Sequence, residues 1–285
     1  MRRARAVLRE VGRASRRHWL FCGGDAGPPR DTAGPRGSGL SFLLLSVVTF
    51  MASGLLFALL ERRWPARGGR AVGGALALEL PYVLLSNALP GWAVGRLGAA
   101  FHVRGAMVEL PWAAQWLIVL AVTELTVYAV HRAMHTLPAL WRLHRPHHAP
   151  AEMDWLAGFR KHAGEGLLHG LAPLPALVLL GPSLEVMLFH TLFGVVLTGF
   201  THLNSSLRLG WLEAVLVTPR VHAWHHAVAA EDQRRNLAGK LTLLDRLFGT
   251  WNGAGGWPAT LGLTDGAAAR DDWRTTHGLR RGASR

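Results

Sequence analysis

The chain has 285 residues, half of them apolar and only 17% charged, with twelve Trp. That balance leans towards a membrane protein. The net charge of +13 is almost all Arg, since Lys161 and Lys240 are the only lysines. Its place beside apolar runs makes it the flank of membrane helices, and no nucleic-acid partner is expected. Cys22 is the only cysteine, which excludes an internal disulfide and a cysteine metal site.

Residues 1–39 carry nine Arg among Gly and Pro without hydrophobic periodicity, and read as a disordered basic tail. Residues 40–60 are 21 residues without a charge, the length of a membrane helix, closed by the flank Glu61-Arg62-Arg63-Trp64. A weaker run over 71–93 is interrupted by Glu79, Pro81 and Pro90. Whether it crosses or lies in the interface decides on which side the chain begins. A third run, 112–130, contains Glu124 and leads into His131. After a polar stretch, 167–181 and 183–200 are apolar around Gly181-Pro182 and predict a hairpin of two spans. Both polar segments flanking the hairpin then emerge on one face. Arg132, Arg142, Arg145, Arg160, Lys161, Arg220, Arg234 and Arg235 lie there, and the positive-inside rule makes that face cytoplasmic. Residues 251–285 are Gly-rich and read as a loose tail. The expected fold is all-α: an integral membrane bundle of about four to five membrane helices with a cytoplasmic histidine-rich helical cap holding a dimetal site. It occupies residues 40–250, between the two tails.

Fifteen histidines are present, and eight fall in three groups. His131 and His135 form H-x-x-x-H. His144, His147 and His148 form H-x-x-H-H, as do His222, His225 and His226. Residues three or four apart share a helix face, so each group can aim two or three imidazoles at one point. Packing so many imidazoles together is unfavourable whether they are neutral or charged. A metal ion removes the difficulty by binding the neutral form. Eight ligands are too many for one zinc and suit two metals. Glu124, Tyr128 and His131 follow at i, i+4 and i+7 on one face. A carboxylate inside a span is expensive, and Glu124 is expected to orient a ligand imidazole. His169 and His190, within spans, read as packing or interhelical hydrogen bonds. His18, His102 and His277 have no expected role.

These residues resemble the fatty acid hydroxylase/sterol desaturase superfamily, membrane-bound proteins with histidine boxes. Glu124-x-x-x-Tyr128-x-x-His131-Arg132-x-x-His135 resembles the entry to its first box, and Leu140-Trp141-Arg142-x-His144-x-x-His147-His148 the second. Met153-Asp154 through Phe159-Arg160-x-His162-x-x-Glu165 resembles the segment that follows. His202-x-Asn204, Pro219 and His222-x-x-His225-His226 resemble the third region. Asn236 and Leu244-Asp245-Arg246-Leu247-Phe248-Gly249-Thr250 resemble the closing motif. The family usually has Asp at Glu124, and often an aromatic and a Gly at Leu237 and Ala238.

The resemblance implies two iron ions, with O2 as co-substrate, hydroxylating or desaturating a lipid C–H bond. Electrons would come from a ferredoxin- or cytochrome b5-like carrier with its reductase, and the setting would be a bacterial inner membrane. Ligand candidates are His131, His135, His144, His147, His148, His222, His225 and His226, with His202 as a ninth. Glu124, Tyr128, Arg160, His162 and Asn204 are candidates beside the metals. Glu165, Asp232 and Asp245 join them as polar residues for orienting, capping or tethering. The competing readings are a membrane zinc hydrolase, against which stands the lack of H-E-x-x-H, and a non-catalytic metal-binding membrane protein.

Overall fold

The computed structural model describes residues 38–68, 80–101 and 105–264. Most of the N-terminal tail, the run 71–79, the end of the C-terminal tail, and His18, His102 and His277 lie outside them. The chain divides into two compact units, Met1–Ser41 and Phe42–Arg285, and every grouped histidine belongs to the second.

Among the described residues the fold is helical, with isolated bridges in place of strands. Helix α1 is Ser38–Arg63, and a π-helical stretch Tyr82–Ala88 runs into α2, Leu89–Phe101. Helix α3 is Trp112–Thr136 and α4 is Pro138–His148, with Pro138 filling a first-turn position where no N–H is needed. Helices α5 (Ala163–Leu171) and α6 (Leu174–Leu180) form one span interrupted at Pro173. Helix α7 is Leu184–Thr201, capped by Ser183 after Gly181, whose φ of 59° suits glycine at the helix end. Short helices follow: α8 (Pro219–His225), α9 (Ala230–Gln233) and α10 (Leu243–Leu247).

Four stretches are long and apolar enough to cross a membrane: Leu44–Arg63, Trp112–Thr136, Ala163–Leu180 and Leu184–Thr201. Their Leu, Val and Met side chains are widely exposed, as lipid-facing residues are. The helical membrane bundle expected from sequence is therefore present, and the chain is a multi-pass membrane protein.

Small residues set the directions of the helices. Gly199 of α7 lies against Phe57 of α1, and Glu61 at the end of α1 accepts from the Asn204 N–H (3.0 Å), so α1 and α7 run together. Gly166 abuts Ser86 and Pro90, Gly170 abuts Val94, Gly98 abuts Leu174 and Gly105 abuts Leu180. The stretch from Tyr82 to Phe101 thus runs alongside α5–α6, away from the histidines. Helices α1, α3 and α7 all end at the histidine end. The stretch from Tyr82 to Phe101 supplies the return pass between α1 and α3. That opposite end is closed by Trp112, Trp116, Phe189 and Phe193, with ring centroids 4.9–6.3 Å apart, and by Gln115, whose Oε1 accepts from the Ser183 N–H (2.9 Å).

Residues 251–264 differ from the loose tail read in the sequence. Asn252 pairs with Asn236, and Gly262 N–H donates to His226 O (3.0 Å). Leu261 is buried against Ala223 and Met153. This stretch carries apolar anchors, Trp257 and Leu261, among its glycines, and they fold it back over α8.

Candidate metal centre

Nine histidines converge at the cap in two groups. His131, His135, His144, His148 and His225 form one, and His147, His202, His222 and His226 the other. Within each, one ring nitrogen per residue lies within 4.8 Å of all the others. Helix geometry explains the partition. In H-x-x-H-H the i+3 and i+4 positions fall on opposite sides of position i around the axis. Box two therefore sends His144 and His148 to the first group and His147 to the second. Box three sends His222 and His226 to the second group and His225 to the first. His131 and His135 from α3 complete the five, and His202, at the end of α7, completes the four. The groups adjoin, with the His148 and His226 rings stacked at 4.5 Å.

The hydrogen bonds settle where the ring protons sit. A carbonyl oxygen only accepts, so a ring nitrogen against it must carry the hydrogen. His147 donates from Nδ1 to Arg160 O (3.1 Å) and His202 from Nδ1 to Thr198 O (2.8 Å). Their Nε2 atoms are both bare, yet face each other at 3.2 Å. His222 Nε2 lies 3.0 Å from His202 Nε2 and 3.1 Å from His226 Nε2. In the five-histidine group, His131 donates to Leu237 O (2.6 Å) and His225 to Arg235 O (2.9 Å). His144 Nδ1 lies 3.1 Å from the Glu165 carboxylate, and its Nε2 is 3.0 Å from His131 Nε2. The facing lone pairs of His147 and His202 repel unless a cation lies between them. The donor set fits two such ions.

Burial, reinforced mainly by the neighbouring imidazoles, holds His144, His147, His148, His222, His225 and His226 well below the ordinary 6.5. It brings His202 down to about 3. All are neutral at pH 7, the form that ligates. An all-imidazole set suits iron, copper, nickel or zinc and disfavours magnesium or calcium.

Residues 116–250 match the family model "Fatty acid hydroxylase". The chain is 28% identical over 187 residues to the ornithine lipid hydroxylase of Rhizobium tropici, covering 65% of this chain and 54% of that protein. It is 31% identical over 146 residues to the alkylglycerol monooxygenase of Danio rerio, covering 50% and 32%. With the fatty acid hydroxylase of Mycosarcoma maydis it shares 28% over 138 residues, covering 48% and 33%. The matched stretch, just under half of the chain, is similar to fatty acid hydroxylases. The chain spans about half the length of the first of these relatives, 54%, and about a third of the other two. No solved structure matches it.

The structure gives several polar residues different duties from those read in the sequence. Glu124 was expected to orient an imidazole, and it does not touch one. Its Oε2 accepts from the backbone N–H groups of Lys240 (2.8 Å) and Leu241 (3.0 Å), and its Oε1 from Lys240 Nζ (2.7 Å). It acts through the loop that supplies Leu237 O to His131. Asp245 holds the same loop: it accepts from Leu237 N–H (2.7 Å), Ala238 N–H (3.1 Å) and Thr250 Oγ1 (2.7 Å). The carboxylate that meets an imidazole is Glu165, one α5 turn inside the span and only 2% exposed. Tyr128 bonds to Thr250 (2.8 Å) and stacks on Phe248 at 5.1 Å, away from the imidazoles.

Arg160 contributes its carbonyl to His147, while its guanidinium lies 5.2 Å over Tyr82. His162 caps α5, accepting from Gly164 N–H (2.9 Å). Asn204 Oδ1 accepts from Arg67 N–H (3.0 Å), and its Nδ2 donates to Arg67 O (2.9 Å). Asp232 accepts from Asn252 Nδ2 (3.1 Å).

Two contributors escaped the sequence reading. Glu61, read as a charged flank, is buried and holds Trp155 N–H (2.8 Å) beside Asn204 N–H. Gly158 admits His202: a Cβ there would lie 2.8 Å from its Nδ1 and 2.6 Å from Thr198 O. Neither has a spacing signal. The one hint for Glu61 was an acid placed at the end of an apolar run.

Proposed function

We propose that the protein is a membrane-bound di-iron oxygenase that uses O2 and external electrons to hydroxylate an aliphatic C–H bond of a lipid. The observation that carries this reading is the convergence of nine buried imidazoles into two adjoining groups, with the bare Nε2 atoms of His147 and His202 facing each other at 3.2 Å. The names of the relatives, lipid hydroxylases and monooxygenases, favour hydroxylation over desaturation.

His131, His135, His144, His148 and His225 would hold one iron, and His147, His202, His222 and His226 the other. An iron pair so held supplies activation of O2 toward an unactivated C–H bond. The chain's own residues do the rest. The carbonyls of Leu237, Arg160, Thr198 and Arg235 keep ring hydrogens on Nδ1 and so aim Nε2 inward. The Glu165 carboxylate, 3.1 Å from His144 Nδ1, would steady that ring. Helix ends at the membrane boundary place the site where an apolar chain can arrive from the bilayer, and buried packing around it excludes bulk water. The Arg-rich histidine end is assigned to the cytoplasmic face of a bacterial inner membrane.

The test is metal analysis of detergent-purified protein beside the His147→Ala/His148→Ala variant, which removes one ligand from each group. The expected result is close to two irons per chain in the parent, lost in the variant, with 18O from 18O2 incorporated into a lipid only by the parent. Well-folded protein that binds no iron on reconstitution would overturn the reading.

A further inference from the structure

Hydroxylation has a fixed balance: RH, O2, two electrons and two protons give ROH and water. The electrons come from outside, so they must reach the metal pair from the polar surface. The proposal below rests on the oxygenase reading for that requirement alone.

One side chain joins the surface to the histidines. Trp141 of α4 is only partly buried. Its ring lies 5.4 Å from His135, 5.5 Å from His148 and 6.2 Å from His144, centroid to centroid. On its other side it lines an open cavity of about 520 Å3, together with Arg145, Gln233, Thr260 and Thr264. Arg145 follows Trp141 by four residues, on the same helix face. It is the single charged residue in that lining. Arg142 and Arg234, each next in sequence to a lining residue, are exposed, as is Arg132 one turn before His135; Glu231 and Asp232 also adjoin the lining, so among the described residues, with Arg145, the cations outnumber the acids four to two. The surface is thus a recess with an aromatic floor and a net cationic rim. No other indole ring is recorded against these histidines among the described residues.

We infer that this recess docks the acidic face of a small one-electron carrier protein, and that Trp141 is the bridge by which electrons reach the histidine-held metals. Charge complementarity selects the partner and speeds its encounter. Each encounter oxidises the carrier by one electron and reduces the metal pair by one. Two encounters supply one turnover, and the indole is left unchanged. The carrier needs only a small, transient interface, as electron-transfer partners have. Trp141 is a positioning and conducting residue in this scheme, separate from the groups that bind the metals.

The experiment is anaerobic stopped-flow mixing of iron-loaded full-length protein in detergent with a reduced plant-type [2Fe–2S] ferredoxin, an acidic one-electron donor. It is followed by the ferredoxin's own absorbance, against dithionite as a small reductant. The parent is expected to oxidise ferredoxin at a rate that falls steeply with salt. Arg145→Glu should slow that reaction about tenfold at low salt and flatten its salt dependence, with iron content and the dithionite rate unchanged. Trp141→Leu should slow the transfer step at saturating ferredoxin while the concentration giving half-maximal rate stays the same. Trp141→Phe should fall between the two.

Three results would overturn the inference. One is an unchanged rate and salt slope in Arg145→Glu. Another is equal slowing by ferredoxin and dithionite in Trp141→Leu, or loss of iron, which would make Trp141 a mere support for His135 and His148. The third is acceleration on deleting residues 266–285, which would assign the recess to the chain's own C-terminus. Failure of the parent to be reduced by dithionite, or to consume O2 afterwards, marks failure of the oxygenase reading itself and takes this inference with it.

Discussion

The two histidine groups are built from the same boxes but are held differently. The five-histidine group leans on distant chain. Two of its carbonyl partners, Leu237 and Arg235, come from the loop after α9, and that loop is clamped by Glu124 and Asp245. The four-histidine group is held by nearby helix ends, through Thr198 and Arg160, with Glu61 and Asn204 tying α1 behind it. The difference teaches that one histidine group depends on a loop's tertiary contacts, and the other on the packing of α1 and α7.

The largest effect should come from emptying one group alone. His222→Ala/His226→Ala removes two of four donors and leaves the other five intact. Iron should fall to about one per chain, with product formation abolished, as read by metal analysis and lipid mass spectrometry. Loss of both irons would show that the groups are one cooperative unit.

Acidification should act on both groups. Burial depresses these histidines below 6.5, His202 to about 3, so the unfolded chain binds more protons than the native one in that window. Stability of the metal-free protein is fully present above that value and is lost as pH falls through it. Thermal melts at about pH 7 and about pH 5 should differ by several degrees, with bound iron released over the same range.

The loop dependence is tested by Asp245→Ala. It leaves two backbone N–H groups and the Thr250 hydroxyl without their acceptor, a loss of roughly 2–4 kcal/mol. Iron should be lost first from the five-histidine position, which Mössbauer spectra of half-loaded protein would distinguish. Glu165→Gln should be milder, weakening that iron about 10–100-fold without lowering the melting temperature much. Smallest is Glu124→Gln: two backbone contacts can persist while the Lys240 ion pair goes, so activity should drop severalfold with iron retained. Equal loss of iron and activity there would make Glu124 a ligand, against its observed contacts.

Much of this was legible in the chain. Apolar runs and their breaks marked the spans, because a membrane admits only helices of set length there. The hairpin at Gly181-Pro182 brought box two and box three to one end, and three- and four-residue spacings marked where imidazoles would gather. The second run, too interrupted to read, leads into the return pass because Gly98 of α2 and Gly166 and Gly170 of α5 let those helices interlock. Its polar and Pro positions hide that packing from any hydropathy pattern.

The sequence by itself determined that many imidazoles meet at one end of a helical membrane bundle, since helix periodicity and span length are local properties of the chain. Only the tertiary structure decided how they divide five to four, which carboxylate holds an imidazole and which clamps a loop. Glu124 and Glu165 are alike as acids near histidines. What separates them is the neighbour each helix presents, an α4 imidazole to Glu165 and backbone N–H groups to Glu124. Such neighbours come from helix packing across the fold, which no spacing along the chain encodes.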